Sequence, residues 1–212
     1  MSNRYGYSGT VGHTQAIKSN SGVFSPNEII DLDSDNVWFK PGQLELIQTQ
    51  TISGATANVD FTSIGDYDVH FMTAVDMRNE NNNRRIGVQF FEGGVIEDGA
   101  VYDVASQFGN ASSSFSEVKG VNYGSLRWGD NFGNNTNERM NGTAYFYNLK
   151  DDNKYSYITH HAVTQSESNV SCFEYGSGVL KQKSYVDGIR IEIDSGHNFL
   201  GGTLSLYGMR FA

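Results

Sequence analysis

Three aspartates at alternate positions, Asp31, Asp33 and Asp35, form the most evident constellation of chemically capable side chains in the sequence. Carboxylates so spaced open the loops that wrap calcium, where they supply hard oxygen ligands. The rest of that pattern is missing, because Asn36 stands where the loop glycine belongs and Gly42 where the bidentate glutamate belongs. Solvated carboxylates are expected there. His160 and His161 are adjacent, so in a strand they point to opposite faces and cannot grip one metal ion. One is expected at the sheet surface and one near the core, while His13, His70 and His197 have no partner pattern. The sequence contains no Gly-x-Ser-x-Gly elbow and no phosphate-binding Gly-Lys-Ser/Thr loop, and Gly6, Gly9 and Gly12 are neither preceded by a strand nor followed by a helix. Any two of the 24 acidic residues could meet as a glycoside-cleaving pair, but none is singled out. The expectation is a protein with no catalytic residue, no cofactor and no metal. Cys172, the one cysteine, can form no disulfide within the chain and reads as a small buried apolar residue.

Aromatic residues offer a different chemistry. Tyr123, Trp128, Tyr145, Phe146, Tyr147, Tyr155 and Tyr157 exceed what one sheet face can bury, which leaves some of them to stack on sugars or on a partner subunit. Tyr123, Trp128, Tyr145, Tyr147, Tyr155 and Tyr157 are the candidate ligand or partner aromatics.

The elements that must position them are strands. Only 38% of the 212 residues are apolar but 13% are aromatic, and 24 glycines accompany 2 prolines, a composition of bulky strand-forming side chains and frequent turns. The length suits one all-β domain. A net charge of −9 with 15 Lys and Arg argues against nucleic acid as a partner, since each phosphate contact needs a cation. No apolar run approaches the roughly 18 residues of a membrane span, and the start lacks the apolar stretch of a signal peptide, so a product of the cytoplasm without membrane insertion is expected.

Residues 1–42 read as an extended docking arm with one short helix, and 43–212 as the β domain. In the arm, Ser25 suits an N-cap, Pro26 the first helical position and Glu28 the third, while Phe24 and Ile29 fall where a hydrophobic staple closes. The apolar groups offered for docking are Tyr5, Tyr7, Ile17, Phe24, Ile29, Ile30, Leu32 and Trp38. From Gln43 onward period-2 alternation dominates. It is clearest over Tyr67–Met77, Ile86–Phe90, Thr143–Leu149 with its return Tyr155–His161, Ile189–Ile193 and Thr203–Met209. Gly176-Ser177-Gly178 is read as the end of a strand and Gly201-Gly202 as a turn. Eight to ten short strands without intervening helices predict a single antiparallel β-sandwich of the jelly-roll kind.

The segment Gly22-Val23-Phe24-Ser25-Pro26-Asn27-Glu28, the run Lys40-Pro41-Gly42-Gln43-Leu44-Glu45-Leu46-Ile47, the strand Asp66–Phe71, the piece Asn141–Leu149 and the end Gly202–Gly208 resemble small virion proteins of tailed, especially marine, phages. The resemblance covers most of the chain. It implies a jelly-roll module of capsid exterior, tail or fibre, assembled with other phage virion proteins and as a homo-oligomer, and located in the virion. It supplies no catalytic residue. Attachment through the arm is the leading expectation, and a module binding a host receptor or surface glycan is the alternative.

Overall fold

The computed structural model describes residues 44–112 and 115–210, together with Pro26, Asn27 and Ile30. The chain divides into two units between Pro41 and Gly42, and the fold below is that of the second. Of the arm, Pro26, Asn27 and Ile30 have helical backbone, and the Ile30 side chain is exposed. The remaining arm positions singled out above (Tyr5, Tyr7, Ile17, Phe24, Ile29, Leu32, Trp38 and the three aspartates) lie outside the described residues.

Thirteen strands make up the described β domain: β1 Glu45–Ile52, β2 Asn58–Phe61, β3 Val69–Asn79, β4 Ile86–Glu92, β5 Val95–Glu97, β6 Tyr102–Asn110, β7 Ser116–Tyr123, β8 Leu126–Arg127, β9 Met140–Tyr147, β10 Tyr155–Gln165, β11 Ser171–Lys183, β12 Val186–Ile193 and β13 Phe199–Met209. They form two antiparallel sheets. One has eight strands in the order β1-β13-β3-β9-β10-β11-β6-β7, and the other has β2-β12-β4-β5 with β8 also paired to β4. Alternation explains the layering. β10 reads Tyr155 out, Ser156 in, Tyr157 out, Ile158 in, through to Val163 out and Thr164 in, so one face of each sheet is apolar and can be buried only against the other. Ile86, Val88, Phe90, Ile189 and Ile191 of the smaller sheet and Met72, Ala144, Phe146, Ile158, Leu180, Leu204 and Leu206 of the larger one belong to a single buried cluster. The fold is the all-β sandwich expected. No helix among the described residues is long and apolar enough to cross a membrane.

Three local expectations are corrected. The strand count is thirteen rather than eight to ten, and the stretch from Val95 to Arg127 holds four of them, β5, β6, β7 and β8. Gly176 and Gly178 do not end a strand but lie inside β11. There a Cβ at Gly176 would sit 2.6 Å from the Ala105 carbonyl oxygen, and one at Gly178 would sit 3.0 Å from that of Asp103, so these glycines mark close backbone approach. Gly201 and Gly202 likewise lie within β13, at a register shift against β3. The turn before β13 is made by the short 3-10 segment Asp194–Gly196.

Candidate functional site: the outer face of the eight-stranded sheet

Outward positions on the central strands of the larger sheet come into register as rows. One row runs Leu46, Tyr207, Phe71, Tyr145, Thr159, Ser177, Ala105, Lys119, and its neighbour runs Tyr147, Tyr157, Val179, Asp103. A third runs Thr49, Ser205, Thr73, Thr143, His161, Tyr175, Gln107. Rings touch along the strands and across them. Phe71 and Tyr145 centroids are 4.6 Å apart, Phe71 and Tyr207 6.1 Å, Tyr145 and Tyr147 6.5 Å, and Phe173 and Tyr175 6.0 Å with planes 4° from parallel. Between these bands lie hydroxyls, with Thr49 and Ser205 hydrogen-bonded at 2.9 Å and Tyr147 and Thr159 at 3.3 Å.

The absence of charge distinguishes this face. From Thr203 to Tyr207 on β13, Phe71 to Val75 on β3, Thr143 to Tyr147 on β9, Tyr155 to Val163 on β10 and Phe173 to Val179 on β11, no outward residue is Asp, Glu, Lys or Arg. The opposite surface of the sandwich carries the Asp60–Arg190 pair, bidentate at 2.7 and 2.8 Å, with Glu192 beside it. In a chain of net charge −9, a five-strand surface free of ionic side chains is a local departure that solubility would not favour. Five strands about 4.8 Å apart, each offering outward residues over about 20 Å, span roughly 400 Å². That is within the range of a typical largest apolar patch and about half of what each partner buries in a standard protein–protein interface.

At the β6–β7 side the face becomes concave. Ala105, Ser177 and Val179, with the backbone of Gly178, floor a trough of about 420 Å³ walled by Tyr157 on one side and by Lys119, Gly120 and Val121 on the other. Its depth follows from residue size, because small side chains on β6 and β11 lie between long ones on β10 and β7. Its rim is polar and internally neutralised. Lys181 donates to Asp103 at 2.7 Å and to Asn122 Oδ1 at 2.8 Å, and the Asn122 amide donates to Asp103 at 3.0 Å. That hydrogen bond from Lys181 holds the Asp103 carboxyl below the usual carboxylate range. Lys119 pairs with Glu117 at 2.6 Å.

Of the six candidate aromatics, the fold brings Tyr145, Tyr147, Tyr155 and Tyr157 onto this face. Tyr123 is exposed on β7, but its ring occupies the space a side chain at Gly120 would fill, on the face turned away from Lys119. Trp128 is removed from the set, since it is fully buried in the core and its indole nitrogen has no hydrogen-bond partner. The face also recruits Phe71, Phe173, Tyr175 and Tyr207, which sequence reading left unassigned. Their signal was alternation on strands whose buried face could not be told from the exposed one.

The histidines are placed by burial. His160 points inward and His161 outward, as expected of neighbours in a strand. Ser106 Oγ lies 3.2 Å from His160 Nε2, the separation of a nucleophile and its base. The third member of a triad is not in place, because His160 Nδ1 has no partner and Glu174 is engaged by Arg127 Nε at 2.7 Å. His160 is 5% exposed, and burial, with Arg127 and His161 adding to it, pushes it down to about 4. Cys172 is buried, and that burial raises its thiol above the ordinary value. A second concavity, of about 570 Å³, is lined by Asp66, Asp68, Asp151 and Asp152 with Lys150, Lys154 and Arg210. Its cations are engaged locally, Lys154 with Asp151 at 2.7 Å and Arg210 over the Tyr67 ring at 4.7 Å. Among the described residues no group of three or more His, Cys, Asp or Glu is arranged to hold a metal ion.

No protein-family model matches this chain, and comparison with curated proteins and with solved structures finds no significant match.

Proposed function

We propose that this chain is a non-enzymatic virion component of a tailed phage, and that its β-sandwich is a binding module for a neutral host-surface glycan. The observation that carries the recognition half of this reading is the uncharged aromatic and hydroxyl face of the eight-stranded sheet. Rings such as Tyr145 and Tyr157 offer apolar contact to the C–H faces of sugars, and Thr73, Thr143, Thr159 and Ser177 offer hydroxyls to the sugar rim. A protein partner would ask for about twice the area this face provides. The setting in a particle, and attachment through residues 1–42, rest on the arm's sequence and on the resemblance described above.

The test is binding of the full chain to an array of host-surface glycans. Saturable binding of uncharged glycans is expected, with Tyr145→Ala and Tyr157→Ala each losing about 0.5–1.5 kcal/mol, up to roughly tenfold in Kd. No glycan binding, or binding that survives both substitutions unchanged, would refute it. Attachment is tested separately by assembling particles with a chain lacking residues 1–42, and full occupancy would remove the arm's role.

A further inference from the structure

We infer that the trough between Tyr157 and β7 is the subsite for one uncharged pyranose residue, and that it fixes one end of a glycan lying across the sheet. This rests on the glycan-binding reading of the face. The trough is lined mainly by carbon, from Val179, Ala105, Val121 and the Tyr157 ring, while the Ser177 hydroxyl lies in its floor and Lys119 and Asp103 lie along its edge. A ligand that fits such a lining has one apolar face and a rim of hydroxyls, which is the shape of a pyranose ring.

Charge complementarity decides between neutral and acidic sugars. Lys181 is held by Asp103 and Asn122, and Lys119 is held by Glu117. Each of these ammonium charges is already offset by a carboxylate, so a uronate or sialate entering the trough meets no unpaired cation there and brings its own charge beside Asp103. An uncharged sugar needs only hydroxyl contacts to their free donor and acceptor positions.

The rows then give the direction of the chain beyond this residue. From β6 the register passes through β11, β10, β9 and β3 to β13, five strand steps or about 24 Å at the usual spacing. Along that path the ring-bearing outward positions are Tyr157, Tyr147, Tyr145, Phe71 and Tyr207. The glycan axis therefore runs perpendicular to the strands, with its terminal residue in the trough and inner residues on the aromatic band.

Isothermal titration calorimetry of the full chain tests this with neutral gluco-, galacto- and manno-configured tetrasaccharides, a uronic acid tetrasaccharide and the corresponding methyl monosaccharides. Ala105→Trp fills the trough from an exposed strand position, and Ser177→Leu fills it from β11. Each is first checked for an unchanged melting temperature. Both are expected to weaken the best neutral tetrasaccharide at least tenfold and to abolish competition by its methyl monosaccharide. Tyr207→Ala, at the far end, is expected to weaken the tetrasaccharide while leaving the monosaccharide's binding unchanged. Full affinity in both filled variants, with loss in Tyr145→Ala, overturns the subsite and leaves the binding face standing. Preference for the uronic acid overturns the neutral assignment, and no heat with any saccharide overturns both proposals.

Discussion

Arg127→Met should be the most informative single change to the β domain. The Arg127 side chain, 9% exposed, donates from Nε to Glu174, whose side chain is 1% exposed, and also reaches Asp130. Glu174 Oε2 has no hydrogen-bond partner even in the parent. Burial holds the Glu174 carboxyl above its ordinary value, with the Arg127 charge opposing the shift. Removing the guanidinium leaves an uncompensated carboxylate in the core, which costs roughly 3–5 kcal/mol. At about 2–4 °C per kcal/mol for a domain of this size the melting temperature falls by about 6–20 °C. The deficit has a pH signature. A carboxyl whose folded pKa lies above its unfolded value destabilises the fold progressively as pH rises from the unfolded value through the folded one, and losing Arg127 pushes that folded value further up. The deficit of variant against parent should therefore be largest near pH 8 and shrink toward pH 5. Relief of His160 from the Arg127 charge acts in the same direction. Replacing both members, Arg127→Met with Glu174→Leu, should recover most of the loss, since a well-packed apolar pair does without either charge. Urea unfolding at pH 5 and pH 8 measures all three proteins. A loss below about 1 kcal/mol, a deficit independent of pH, or a double variant no better than the single one would refute the reasoning.

Two further predictions concern stability. His70 and His160 are both buried and both pushed by burial to about 4 from 6.5, His70 while bonded through Nε2 to the Ile64 carbonyl at 2.9 Å. A histidine with a depressed folded pKa loses stability as pH falls from its unfolded value toward its folded one, so each should cost about 2–3 kcal/mol between pH 7 and pH 4.5. His160→Gln should remove one of these steps from the urea-measured profile, and an unchanged acid limb would show that His160 is protonated at no cost. Gly202 has a φ of 123°, and a Cβ there would sit 2.8 Å from the Met77 Cα. Gly202→Ala should therefore lose about 1–3 kcal/mol by thermal unfolding, more than Gly196→Ala, where φ is 71° but the space is open. Equal losses would mean that backbone strain alone, without the close approach, governs Gly202.

Much of the domain was legible because its strands keep strict alternation. The hairpin of β9 and β10 falls where Thr143–Leu149 and Tyr155–His161 placed it, with Tyr147 opposite Tyr157. What sequence could not show was non-local. Met77 shares parity with Val75, yet Asp76 adopts a φ of 58° at a bulge, so Val75 is 52% exposed while Met77 is fully buried. Alternation has no term for an inserted residue. Trp128 was a candidate only as one of a surplus of aromatics, and it is buried through pairing of the short β8 with β4. The outer aromatic face was visible only as a surplus of tyrosine. Its lack of charge appears once five strands distant in sequence are laid in register, and the trough depends on Ala105 and Ser177 being small next to Tyr157 and Lys119.

The position of β13 between β1 and β3 also sets an order of events during synthesis. β1 has no other strand partner among the described residues, so its backbone donors wait until Phe199–Met209 has emerged, roughly 150 residues later. At about 5–20 residues per second that interval is about 7–30 s, during which an unpaired strand is available to neighbouring nascent chains. β1 meets this exposure with a polar sequence, Glu45-Leu46-Ile47-Gln48-Thr49-Gln50-Thr51-Ile52, in which only three of eight residues are apolar. The glutamine- and threonine-rich start of the domain is thus suited to waiting in water until the last strand closes the sheet.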